Sequence, residues 1–354
     1  MRQTGILPDR DIAALFDAGA LSTSRPLDAD QIQPASLDLR LGDVAYRVRA
    51  SFLPGGRHRM ADKLERLKLH EISLAEGAVL ETGCVYIVPL IEELKLPHGI
   101  SASANPKSST GRLDIFTRVM TDGGREFDKI AEAYAGPLWL EVSPRTFPIV
   151  ARTGSRLSQI RFRRGNAVLH ARETLVAAEE PSISGGGIAL SIDLEGDGDG
   201  LVGYRAKHHT GLVDLDRKAA HQVLDFWEPL RLRGARELIL DPDEFYILVS
   251  REAVHVPPDY AAEMTPFDPL VGEFRVHYAG FFDPGFGHSG AGGAGSRAVL
   301  EVRSHEVPFI LEHGQTVGRL VYEHMLSRPD RLYGGDLKSN YQAQGLKLSK
   351  HFVA

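Results

Sequence analysis

Five short patterns recur in this chain at a single separation. Val85-Tyr86-Ile87 returns as Phe245-Tyr246-Ile247, Pro97 as Pro257, Pro106 as Pro266, Leu140-Glu141-Val142 as Leu300-Glu301-Val302, and Gly154 as Gly314. Each pair is 160 positions apart (246 − 86, 301 − 141 and 314 − 154 all give 160). Agreement in one register marks a duplication, and such a repeat governs every later assignment of elements. Upstream, Ser36-Leu37-Asp38-Leu39 is echoed by Ser191-Ile192-Asp193-Leu194 at 191 − 36 = 155, so an insertion separates the two registers. The matched pieces are short apolar runs broken by turn residues, and 36 Gly and 20 Pro in 354 residues suit strands and turns better than long helices.

The chain therefore reads as mainly β, with a first domain over 1–172 and a second over 173–354. Between them, Arg172 to Gly187 carries Glu179, Glu180, Pro181 and three successive glycines, a linker composition. Helical spacing predicts a short helix over residues 9–16, with Ile12, Leu15 and Phe16 on one face, and another over residues 215–227. Gln33 to Gly42 alternates apolar and polar residues with period two.

With 43% hydrophobic residues the chain has core enough for two domains. A net charge of −6 argues against a nucleic-acid binder, which needs a clustered positive surface. A single cysteine, Cys84, excludes an internal disulfide and a Cys-rich zinc site, fits a reducing cytoplasm, and is expected in the core. No apolar run approaches the about 18 residues of a membrane span, so a soluble protein without membrane partner is expected.

One stretch carries chemistry. After Pro106 come Lys107, Ser108, Ser109, Thr110, Gly111 and Arg112: two cations, three hydroxyls and a glycine, the donor set of a phosphate site. At the 160-residue offset the second copy has Phe267, Asp268, Pro269 and Gly272 for Lys107, Ser108, Ser109 and Arg112. In exchange it has the turn signature Phe281-Phe282-Asp283-Pro284-Gly285-Phe286-Gly287, against Glu126-Phe127-Asp128-Lys129 in the first copy. Two half-equipped copies point to one composite site.

These residues resemble the dCTP deaminase branch of the trimeric dUTPase superfamily. The likeness rests on Ile6 to Ile12, Gln33 to Gly42, Lys107 to Arg112, the Leu-Glu-Val strands, Phe282 to Gly287, and Tyr341-Gln342-Ala343-Gln344-Gly345. It implies two tandem dUTPase-like (β-clip) domains with a few short helices, active sites between neighbouring domains, and a C-terminal tail that closes over the nucleotide. Lys107, Ser108, Ser109 and Arg112 match the phosphate- and water-positioning segment, with Lys107 where the family more often has arginine. Glu141 and Glu301 both match the catalytic glutamate. Asp283 matches the aspartate of the base- and sugar-recognising hairpin, and Tyr333, Tyr341 and Gln344 match tail residues over the triphosphate. Asn340 stands where the family has a tail lysine, and Lys338 is the nearest substitute. In the family the Ser/Arg segment faces the neighbouring domain's hairpin and glutamate, so Lys107 to Arg112 is expected to work with Asp283 and Glu301, and Glu301 is preferred to Glu141.

Deamination needs an activated water, a proton at N3 and a proton for departing ammonia, and one partly buried carboxylate can move all three. Zinc deaminases use a His/Cys set, which one cysteine cannot supply. The expectation is metal-free chemistry at the base, with Mg²⁺ only as the triphosphate's counter-ion. The expected partners are dCTP, with dUTP or dTTP as further nucleotides, and copies of the chain in a homo-oligomer. The rival readings are a dUTP diphosphatase, a bifunctional enzyme, and a non-catalytic nucleotide-binding regulator. Gly290 to Gly295 matches G-x-G-x-x-G but precedes a strand-like run, so it reads as a hairpin loop. His208-His209 reads as a solvated loop, Trp139 and Trp227 as core, and Arg161 to Arg164 as a solvated strand end.

Overall fold

The computed structural model describes residues 3–56, 58–168, 183–184, 187–196, 198–232, 234, 236–266, 274–276, 280–289, 295–304, 306–334 and 345–353, with backbone alone for 183–184, 266 and 274–276. The chain divides into two compact units: Met1–Ala167 with Gly211–Ala220 and Met325–Asp330, and Val168–Thr210 with His221–His324 and Arg331–Ala354.

In the first unit, one sheet runs Gly5–Ile6, Arg156–Arg164, Ile100–Pro106, Lys129–Ile130, with Leu37–Arg40 also on Arg156–Arg164. A second runs Lys68–Ser73, Val44–Val48, Val85–Lys95, Ala135–Pro144, Ile115–Thr121. The second unit repeats this plan. Thr316–His324 and Tyr260–Pro266 pair in one sheet, and Phe245–Val254, Ser296–Ser304 and Phe274–Val276 in another. Strand alternation explains the layers: in Ala135–Pro144, Leu138, Leu140 and Val142 share one buried face, while Trp139, Glu141 and Ser143 share the other.

The ladders refine the repeat. Ile100–Pro106 matches Tyr260–Pro266, and Arg156–Arg164 matches Thr316–His324, at 160. Between them the offset changes. Ile130 lies opposite Ala102 and Phe282 opposite Ala262, giving 282 − 130 = 152. Thr117 lies opposite Val142 and Val276 opposite Val302, giving 276 − 117 = 159. Seven residues, 122–128, thus separate Ile115–Thr121 from Lys129–Ile130, where the second copy has four positions, 277–280, between Phe274–Val276 and Phe281–Phe282. The register returns to 160 because the second copy carries extra residues between Phe286 and Ser296. The hairpin counterpart of Asp283 is therefore Ala131, eight residues from the equal-offset position, and not a member of Glu126 to Lys129.

The N-terminal helix forms over Asp9–Asp17, with Ile12 and Leu15 buried. Residues 215–227 do not form one helix: only Val223–Phe226 is helical, and Trp227 begins a strand. Upstream of it, Val213–Asp214 pairs parallel with Ile149–Ala151, and Arg152 binds Asp214 at 2.6 Å and Asp216 at 3.1 Å. Those ion pairs and the left-handed Ala219 (φ 47°) hold the segment extended. Arg161 is fully buried rather than solvated, because its strand lies between two others. Cys84 is half-buried in the turn after Gly83, not in the core. Among the described residues no helix is long and apolar enough to cross a membrane.

Candidate active site

Pro106 ends its strand, and Lys107 continues extended while its N–H donates to the Leu157 carbonyl. One helical turn, Ser108–Gly111, follows, and Asp114 closes it in the left-handed region (φ 56°). The amides of Thr110, Gly111, Arg112, Leu113 and Asp114 donate within the turn. Ser109, Thr110, Gly111 and Arg112 are buried, and Lys107 and Ser108 are half-buried. The turn thus presents Lys107 and Ser108 outward, while the neighbours fix its shape.

Lys107 is held by an acidic network. Its Nζ pairs with Asp38, a buried carboxylate whose other oxygen lies 3.4 Å from Arg156. Arg156 also binds Asp28 at 2.5 Å and Asp30 at 2.8 Å. Burial alone lowers the affinity of Arg156 for its proton, but Asp30, Asp28 and Asp38 hold its pKa above the ordinary value. Beside Asp38 on the same strand, Arg40 donates to Glu92 at 2.8 Å, and Gln31 donates to the same carboxylate at 2.8 Å. This is why both faces of Leu37–Arg40 are buried despite the period-two pattern. The counterpart of Asp38, Asp193, serves elsewhere: it accepts from Arg297 at 2.5 Å and from the Glu195 amide at 2.9 Å.

Glu141 lies opposite Arg118 across the ladder and is 1% exposed. Arg118 donates from Nε (3.0 Å) and Nη2 (2.6 Å) to a single oxygen, Oε1. Its Nη2 also donates to Ser51 at 2.6 Å, and its guanidinium carbon lies 3.5 Å from the Phe127 ring centroid and 4.7 Å from that of Phe116. Next to Phe127, Asp128 accepts from the Val119 amide at 2.7 Å; burial pushes its carboxyl up to about 7, against the pull of Val119 and Arg118.

In the second unit Glu301 lies opposite Ile247, between Leu300 and Val302, and is 4% exposed. The hairpin brings Asp283 and Tyr333 to one place. The Tyr333 amide donates to the Pro284 carbonyl at 2.9 Å, and its ring lies 5.8 Å from that of Phe286. Gly285 sits at φ 99°, and a Cβ there would stand 2.9 Å from Tyr333 N and O, so only glycine fits. Asp283 is buried. Lys338, Tyr341 and Gln344 lie outside the described residues. Beyond them, Phe352 packs edge-on against Phe226 and Trp227.

Sequence reasoning missed Asp38 and Arg118. The Ser-Leu-Asp-Leu echo contained a signal for Asp38, whereas Arg118 is visible only once the ladder aligns it with Glu141. His208 is exposed and bonded to Glu244 at 2.8 Å. Gly290 to Ala294 lies outside the described residues, and Gly295 leads directly into the strand Ser296–Ser304.

Residues 3–166 match the family model of the 2'-deoxycytidine 5'-triphosphate deaminase N-terminal domain, and residues 163–352 match that of its C-terminal domain. The chain is 32% identical over 156 residues to the "dCTP deaminase, dUMP-forming" of Corynebacterium glutamicum, covering 44% of this chain and 78% of that one. It is likewise 32% identical over 158 residues to the protein of that name from Clavibacter michiganensis subsp. michiganensis, covering 44% and 75%. The crystal structure of 2'-deoxycytidine 5'-triphosphate deaminase from Agrobacterium tumefaciens matches with TM-score 0.89 and 73% identity, over 92% of this chain and 100% of that one.

Proposed function

The chain belongs to the 2'-deoxycytidine 5'-triphosphate deaminase family, and from that premise we propose that it hydrolyses dCTP to dUTP and ammonia with one functional set drawn from both copies. The carrying observation is how the parts are divided between the copies: Glu141 is ion-paired to Arg118 across its own ladder, and the Asp283 hairpin, with Tyr333 bound to it, lies in the unit that carries Glu301. The domains are those read from the repeat, 1–172 and 173–354, with the tail belonging to the second.

In this reading Glu301 takes a proton from water, and the hydroxide adds to C4 of cytosine. The carboxyl passes that proton to N3, and the carboxylate then takes the proton of the new C4 hydroxyl and hands it to the amino group, so that C4=O forms as the C4–N bond breaks, ammonia leaves and the carboxylate is restored. Ser108 orients the water and Arg112 stabilises charge developing on the ring. Lys107 and the Ser109-Thr110-Gly111 turn hold the phosphates, Asp283 reads base and sugar, and Tyr333, Lys338, Tyr341 and Gln344 cover the triphosphate. Lys107 is shared with Asp38, so Mg²⁺ accompanies the nucleotide to balance its charge. The enzyme acts in the cytoplasm as a homo-oligomer.

The relatives named dUMP-forming support a second reading, in which dUTP is cleaved further to dUMP and pyrophosphate. Incubation with dCTP and Mg²⁺, followed by separation of products, tests both. Accumulating dUTP with equimolar ammonia is expected. dUMP and pyrophosphate from the first turnovers establish the second reading, and no ammonia removes deamination altogether.

A further inference from the structure

The first copy's glutamate is buried, carries a buried second oxygen, Oε2, without a hydrogen-bond partner among the described residues, and faces a flat cation stacked on aromatic rings. The parts come from two neighbouring places in the first copy: Phe116 and Arg118 from the strand Ile115–Thr121 that pairs with the strand of Glu141, and Phe127 from the connection that follows it. Phe127 and Asp128 lie within the seven residues, 122–128, that stand where the second copy has four. The N–C–N edge of a guanidinium is planar and donates two parallel N–H bonds, as does the N3–C4–N4 edge of a protonated cytosine. A ring-lined slot above a carboxylate suits either group.

We propose that Arg118 is a built-in surrogate for the pyrimidine: its guanidinium fills the first copy's base site between Phe116, Phe127 and Glu141, and leaves one working nucleotide site per chain. The inference rests on the reading that Glu301 is the working glutamate. It assigns a function to Arg118 and to the longer connection whose Phe127 stacks on it, namely closing a site that duplication created and that the second copy's altered 267–273 segment no longer equips for phosphate.

Calorimetric titration of the full chain with α,β-imido-dUTP, which can be neither deaminated nor cleaved between the α and β phosphates, counts the sites. One per chain is expected. Two per chain overturns the surrogate, whereas none overturns the nucleotide reading itself. Arg118→Ala gives the second arm. It empties the slot beside a buried carboxylate, so its melting temperature should fall, and millimolar methylguanidinium should restore a substantial part of the loss. The same cation should not stabilise Arg118→Ala combined with Glu141→Gln. Turnover of dCTP by folded Arg118→Ala should stay within about twofold of the parent. Failure of methylguanidinium to discriminate between the two variants, or loss of turnover in folded Arg118→Ala, overturns the proposal.

Discussion

The two units share a strand plan and differ in what hangs from it. The first has the one-turn segment Ser108–Gly111, with Lys107 tied to Asp38, and spends its glutamate on Arg118. The second has the tight Asp283–Gly287 turn, locked to Tyr333 by an amide hydrogen bond and a close backbone approach at Gly285. The ladders are conserved between copies at 160, while both functional differences sit in connections where the offset moves to 159 and 152. Between the copies the strands of these ladders keep their register while the connections differ, as expected where loops vary on a rigid scaffold.

The comparison can be broken most forcefully at Arg112. Replacement by alanine should lower kcat/KM for dCTP by about 10²–10³-fold, the usual cost of removing one electrostatic stabiliser, whereas Arg297→Ala, at the Asp193 network of the other copy, should cost stability and leave steady-state constants of the folded enzyme nearly intact. Asp38→Asn comes next. It frees Lys107 from its partner and should change KM for dCTP by about tenfold, roughly 1.4 kcal/mol, while Asp193→Asn should not change KM.

Backbone strain offers a paired test. Gly285 has the counterpart Ala133 (285 − 133 = 152), itself left-handed at φ 58°. Gly285→Ala should destabilise by about 1–3 kcal/mol and loosen Tyr333, whereas Ala133→Gly should stabilise by about 1 kcal/mol by relieving strain. Chemical denaturation of both variants reads the two signs.

The smallest effect concerns Asp128. Its carboxyl is raised from 3.8 to about 7 in the folded chain, so the folded form binds the extra proton between about pH 4 and pH 7, and stability falls as pH rises through that window. Asp128→Asn should therefore gain on the parent in melting temperature from pH 5 to pH 8. A constant difference across that range contradicts the assignment.

The repeat was legible because paired strands cannot change length without disturbing the core: Val85 to Ile87 and Leu140 to Val142 announced both their ladders. The phosphate segment was legible because its donor types are unusual together. The shift to 152 was hidden, since a shortening before Phe281 and a lengthening after Phe286 cancel, and a constant offset therefore looked intact across the region. Burial of Arg40 and Asp38 was hidden too, because a polar residue in an alternating pattern reads as solvent-facing until its ion-pair partner, distant in sequence, is known. Arg118 looked ordinary for the same reason.

The central claim is that Glu301 works and Glu141 does not. Ammonia release from dCTP by Glu301→Gln and Glu141→Gln, each normalised to the folded fraction, tests it most directly. The account predicts a drop of about 10²–10⁴-fold for Glu301→Gln and activity within a few-fold of the parent for Glu141→Gln. Full activity in Glu301→Gln, or a comparable collapse in Glu141→Gln, would contradict it.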